Sequence, residues 1–166
     1  QGERLRLLDF EGNEVDAVAY ADEGEWAKRM LGPEDHGYRG WVWSDQHDGL
    51  GSSLERQSLE VAGAYGQNWL PSLVAGGTPG SRNGRSKSVI APIIRKLEHW
   101  PPVPRSDEKV WVSAKVVSGG SMIGEVKLFY RYQSGGSFLS IAMRDDGMNQ
   151  DRASGDGVYG AWLPEA

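Results

Sequence analysis

The chain has 166 residues, a net charge of −5 and no cysteine, which excludes a disulfide framework, thiol catalysis and a cysteine-ligated zinc site. The acidic balance supplies no basic footprint for nucleic acid, and no apolar run approaches the ~20 residues of a membrane helix; neither nucleic-acid binding nor membrane insertion is expected. The 23 glycines, about twice the usual ~7%, call for many tight turns and lean toward a β protein.

In chain order, "ERLRLLDFEGNEVDAVAYAD" predicts a β-hairpin, with Leu5 and Leu7 alternating against Arg4 and Arg6 and "FEGNE" as the turn. The next thirty or so residues are irregular, with a short helix expected around Trp26 to Leu31 and ended by Gly32-Pro33. "SSLERQSLEV" returns to strand-like alternation. "AYGQNWLPSLVAGGTPGSRNGRSKS" is rich in turn residues and closes in a polar stretch, where a linker is expected at 84–88.

The second half is more regular. "SVIAPIIRKLEHWPPVP" is an extended segment closed by prolines. "KVWVSAKVV" sets Val110, Val112, Ala114 and Val116 on one face against Trp111, Ser113, Lys115 and Val117 on the other. "GEVKLFYRYQ" alternates in the same way, and "SFLSIAM" and "GVYGAWLP" complete the strand candidates. Short strands separated by glycine turns predict an antiparallel sandwich. The fold expected is all-β: two tandem immunoglobulin-like β-sandwich pieces, residues 1–83 and 89–166.

Three stretches of the first half carry a family resemblance: "LRLLDFEGNEVDAVAY", "SSLER" and "NWLPSLVAGGTPGSRN". Together they resemble the C-terminal part of a bacterial lamin tail domain, an immunoglobulin-like sandwich, over roughly residues 3–83. The third is the most specific, with Asn68, Trp69, Ser72, Gly76, Gly77, Thr78, Pro79, Gly80 and Asn83 falling on the family's closing signature. The opening strands of that family are not matched. "PPVPRSDEKVWVSAKV", "VKLFYRY" and "MRDDGMNQDRASGDGVYGAWLP" resemble the Ig-like module that follows such domains in large exported bacterial proteins, some of which carry a spore-coat-type CotH kinase. Strands usually follow the "DGVY" strand in that module. The expectation is therefore a fragment of a longer protein, the first sandwich lacking N-terminal strands and the second lacking C-terminal ones.

Asp145, Asp146, Asn149, Asp151 and Asp156 place five oxygen-bearing side chains within twelve residues. Two readings stand. Calcium takes six to eight oxygen ligands, and neighbouring glycines would let carbonyls turn inward, although the spacing is not that of an EF-hand. Alternatively, the carboxylates cap turn N–H groups and "GDG" supplies positive φ before a strand. In "WSDQHDG", Asp45, His47 and Asp48, with His36, are a weaker divalent-metal candidate. Among the seven tryptophans, Trp41 and Trp43 are spaced to share one side of an extended segment and are the candidates for a glycan-binding platform. Trp69, Trp111 and Trp162 are expected in core or interface.

No catalytic residue is assigned, because no nucleophile elbow or phosphate-binding loop is present. The expected role is a non-catalytic structural or adhesive module of a secreted or cell-surface bacterial protein. Its partners would be other domains of the same longer protein, and surface proteins or glycans. The alternatives are an accessory module of a large exported enzyme, such as a hydrolase or CotH-type kinase, and a dedicated glycan-binding module.

Overall fold

Period-two alternation through most of the chain is matched in the computed structural model by eleven strands among the described residues, every pair of them antiparallel. The structure describes residues 2–21, 26, 29–35, 38–43, 46–47, 49–133, 135–148, 151 and 153–165, with the backbone alone for 29–31, 35 and 38–43. Among the described residues the only helical element is a single 3-10 turn, Gly66–Asn68. No helix among them is long and apolar enough to cross a membrane. The chain divides into two units, Gln1–Ala91 and Pro92–Ala166.

The first unit holds three two-stranded sheets. Strands β1 (Glu3–Leu8) and β2 (Glu14–Tyr20) form the expected hairpin, pairing Leu5 with Val18 and Arg6 with Ala17. Its turn is closed by Asp9, whose carboxylate accepts from the backbone N–H groups of Glu11 and Asn13. Strands β3 (Arg29–Asp35) and β4 (Tyr38–Trp43) form a second hairpin. Of the helix expected around Trp26 to Leu31, the described stretch from Arg29 on is strand β3 instead. Six residues are too few to nucleate a helix without tertiary support, and pairing with β4 supplies the competing backbone hydrogen bonds. Gly32-Pro33 sits where that ladder shifts register, a position that tolerates a missing N–H. Strands β5 (Ser52–Arg56) and β6 (Trp69–Ala75) form the third pair.

Residues 84–88, expected as a linker, are tied to this unit. The Arg85 N–H donates to Glu55, its guanidinium Nε donates to the Pro71 carbonyl, and the Lys87 N–H donates to the Gln57 carbonyl. The basic run is thus hydrogen-bonded to the β5–β6 region, and the division falls a few residues later.

The second unit has a three-stranded sheet in the order β11-β8-β7 and a two-stranded sheet of β9 and β10. The strands are β7 (Ile93–Trp100), β8 (Trp111–Val117), β9 (Val126–Tyr130), β10 (Leu139–Met143) and β11 (Val158–Trp162). Four of them, β8 to β11, contribute to a shared core: Val112 and Ala114 of β8, Ala161 of β11 and Met143 of β10 are buried, with Val126, Leu128, Ile141 and Tyr159 packed against them. That is sheet-on-sheet packing, these four strands sending alternate residues inward. Arg144 and Gly160 exchange both backbone hydrogen bonds, at 3.0 and 2.9 Å, and join β10 to β11 at one corner.

Strand β7 carries a bulge. Arg95 faces Lys115 and Glu98 faces Ser113, so Lys96 and Leu97 together oppose Ala114. Lys96 takes the left-handed conformation, φ 47°. The extra residue shifts the rest of β7 by one position and brings Trp100, instead of His99, opposite Trp111.

Candidate functional site

The acidic loop between β10 and β11 turns its carboxylates onto its own backbone. Asp145 accepts from the N–H groups of Gly155 (2.7 Å), Asp156 (3.2 Å) and Gly157 (2.8 Å). Asp151, fully buried, accepts through Oδ2 from the N–H groups of Asp146 (2.6 Å) and Gly147 (2.9 Å). Asp146 accepts from Met148 N–H and Asp156 from Val158 N–H. These are charge-assisted bonds that hold a long connection without regular structure. Gly157 is required twice over: its φ is +79°, and a Cβ there would lie 3.0 Å from the Val116 carbonyl. The Lys115 ammonium donates to the Asp156 carbonyl, fastening the loop to β8. One buried carboxylate oxygen, Oδ1 of Asp151, has no donor among the described residues. Asn149, the fifth member of the candidate set, lies outside the described residues.

The second metal candidate is only partly within view. His47 is half-buried, and its Nδ1 has no partner among the described residues, whereas His36, Asp45 and Asp48 lie outside the described residues. Among the described residues no three histidine, aspartate or glutamate side chains are placed to hold a metal ion.

Residues 53–85 form a polar clamp around β5 and β6. Asn68, fully buried, accepts from the Ser58 N–H and donates to the carbonyls of Ser58 and Val61 at 2.8 and 3.0 Å. The Trp69 indole donates to the Gly63 carbonyl, and its ring lies 6.1 Å from that of the buried Trp26. Ser72 bridges the Ser53 N–H and the Val74 carbonyl. Glu55, buried, accepts from the Thr78 hydroxyl as well as from the Arg85 N–H. A Cβ on Gly77, whose φ is +73°, would run into the Ser53 side chain. Each of these polar side chains is satisfied within the fold.

Trp41 and Trp43 lie two positions apart on β4, opposite Leu31 and Arg29; their side chains are outside the description. In the second unit, Trp111 sits directly opposite Trp100 on one side and Trp162 on the other. Residues that face each other across a sheet project from the same face. The three therefore make one row across β7, β8 and β11, on the face opposite the Val112–Ala114–Ala161 core. Trp100 is 61% exposed and Trp162 38% exposed, with Trp111 between them half-buried. Trp111 and Trp162 thus lie on the face of the sheet turned away from that core, and of the two places expected for them, core or interface, the core is ruled out. Only the strand pairing reveals this, because Trp100 and Trp162 are far apart in sequence.

The next row along that face holds Glu98, Ser113 and Gly160. Ser113 and Gly160 are small and buried, and Glu98 at the sheet edge is exposed. On the other side, Lys109 and Glu165 form an exposed ion pair at 3.1 Å. With Trp162, Leu163 and Pro164 they line an open cleft of about 530 Å³. The single Tyr132 hydroxyl proton is shared between the carbonyls of Pro164 and Glu165, at 3.2 and 3.1 Å, and fixes the chain beyond β11. The site is an aromatic floor with a hydrogen-bonding rim.

Compared with protein-family models, with curated proteins and with solved structures, the chain finds no match in any of the three.

Proposed function

We propose that this chain is a non-catalytic structural or adhesive module of a secreted or cell-surface bacterial protein, and that it meets its partner through the outer face of the β11-β8-β7 sheet. The observation that carries this reading is the Trp100–Trp111–Trp162 row, two members of which leave large aromatic surface in water. Scattered exposed apolar residues are ordinary, but an aligned aromatic group with a polar rim is characteristic of contact surfaces. The non-catalytic part rests on the acidic loop, where each described aspartate already accepts a backbone N–H group. The lamin-tail-like and Ig-like assignment of the two units belongs to the same reading. It is supported by the "NWLPSLVAGGTPGSRN" signature and by the sheet-on-sheet core of the second unit.

The test is co-sedimentation of the purified chain with isolated bacterial cell-wall fragments. The unaltered chain is expected in the pellet, and a variant carrying Trp100→Ala and Trp162→Ala in the supernatant. Equal sedimentation of both, or none of either, would overturn the reading.

A further inference from the structure

From the register of the second unit we infer a binding site for a single, uncharged, β-linked polysaccharide chain lying across the Trp100–Trp111–Trp162 row. This rests on the proposal that the same face is the contact surface, and names the ligand chemistry. Neighbouring strands lie about 4.8 Å apart, so the row reaches about 10 Å from β7 to β11, the length of a short run of sugar rings in an extended chain. A pyranose ring has one face of C–H groups and a rim of hydroxyls. An indole accepts the first by apolar and π contact, and polar side chains flanking the indole accept the second. That combination is present: Glu98 stands on one side of the row, and Lys109 with Glu165 on the other. Ser113 and Gly160, the small residues behind the row, leave the floor without a projecting wall.

Nucleic acid also stacks on aromatic rows, and charge separates the two ligands. Single-stranded nucleic acid needs a cationic groove tracking its phosphates. The rim carries Glu98 and Glu165, and its cation Lys109 is already paired. Two further cations, Arg95 and Lys115, stand opposite each other two rows along that face. Lys115 donates to the Asp156 carbonyl, and two cations beside two rim carboxylates make no cationic groove. With a net charge of −5 for the chain, a neutral, hydroxyl-rich ligand fits and a polyanion does not. Sheet twist adds a second constraint. Adjacent strands rotate by roughly 20–25°, so the row follows a twisted path. It suits a free chain, which is itself helical, in preference to the flat face of a crystalline polymer.

The bulge in β7 builds the site. Without the extra residue at Lys96–Leu97, His99 would face Trp111 and the row would end at two tryptophans.

The experiment titrates the full 166-residue chain with soluble β-1,4-linked hexasaccharides of glucose and of N-acetylglucosamine, followed by tryptophan fluorescence and calorimetry. Binding of at least one is expected. Affinity should fall about tenfold in Trp100→Ala, from loss of one stacking surface, fall severalfold in Glu98→Gln, and be largely kept in Trp100→Tyr. Circular dichroism identifies any variant that fails to fold, and Trp100→Tyr and Glu98→Gln keep the test decisive in that case. Binding of neither sugar, binding unaffected by Trp100→Ala and Glu98→Gln, or stronger binding to oligothymidylate would overturn the inference. Pre-treating the cell-wall fragments distinguishes its failure from that of the broader reading. Sedimentation lost after protease, but kept after glycan-cleaving enzymes, leaves the contact face in place and refutes the glycan.

Discussion

The acidic loop and the tryptophan row lie in the same unit and use their conspicuous residues in opposite ways. In the loop, Asp145 and Asp151 turn inward and together accept five backbone N–H groups. In the row, Trp100 and Trp162 stand outside the core that Val112, Ala114 and Ala161 fill. The clamp around Asn68 belongs with the loop. A dense cluster of chemically able side chains is therefore no guide to where a molecule meets its partner. What separates the cases is how far those groups are turned onto the fold's own backbone.

That comparison can be broken most readily at its structural end. Asn68→Ala removes three hydrogen bonds from a fully buried site and should destabilise the first unit by about 3 kcal/mol, since unpaired buried groups carry a full desolvation cost. Urea unfolding should show one transition moving and the second unit's unchanged. Asp145→Ala should cost the second unit about 2 kcal/mol, because three backbone donors lose their acceptor. A smaller loss than in an exposed-loop control such as Ser106→Ala would show that water replaces the carboxylate.

At the other end, Trp100→Ala should change stability by no more than about 0.5 kcal/mol, as expected for an exposed side chain away from the core. A large loss would place Trp100 with the structural residues. The smallest expected effect concerns pH in the β1–β2 hairpin. The Arg6 guanidinium, helped by Arg4, holds the Glu14 carboxyl below its ordinary 4.5. The Asn13 side chain does the same for Asp9 below 3.8. A depressed folded value stabilises the hairpin above the unfolded value and is lost as pH falls through the folded one. Acidification below about pH 4 should thus loosen the hairpin slightly, visible as amide shift changes at Glu11 and Asn13, with no change on raising pH from 6 to 8. Both groups are exposed, so screening by salt should shrink the effect.

Much of this architecture is legible as local pattern. The hairpin around "FEGNE" and the two faces of "KVWVSAKVV" follow from period two, and the turn-capping alternative for the acidic loop follows from Asp and Gly chemistry. The row was hidden for two physical reasons. Its members come from strands paired across the whole second unit, and long-range register leaves no trace in local periodicity. The bulge that admits Trp100 contains Lys96 and Leu97, with no glycine to announce it. Alternation in β8 separates Trp111 from Val112 but does not say which face the β9–β10 pair covers. The helix expected near Trp26 fails for the same reason: local preference yields to a pairing partner further along the chain.

The most direct test of the central claim is a paired measurement of melting temperature and β-1,4-hexasaccharide affinity on Asp145→Ala and Trp100→Ala. The account predicts a crossed result: Asp145→Ala melts earlier yet binds normally below its transition, and Trp100→Ala melts normally yet binds about tenfold more weakly. Affinity and stability falling together in both variants, or no affinity in the unaltered chain, would contradict it.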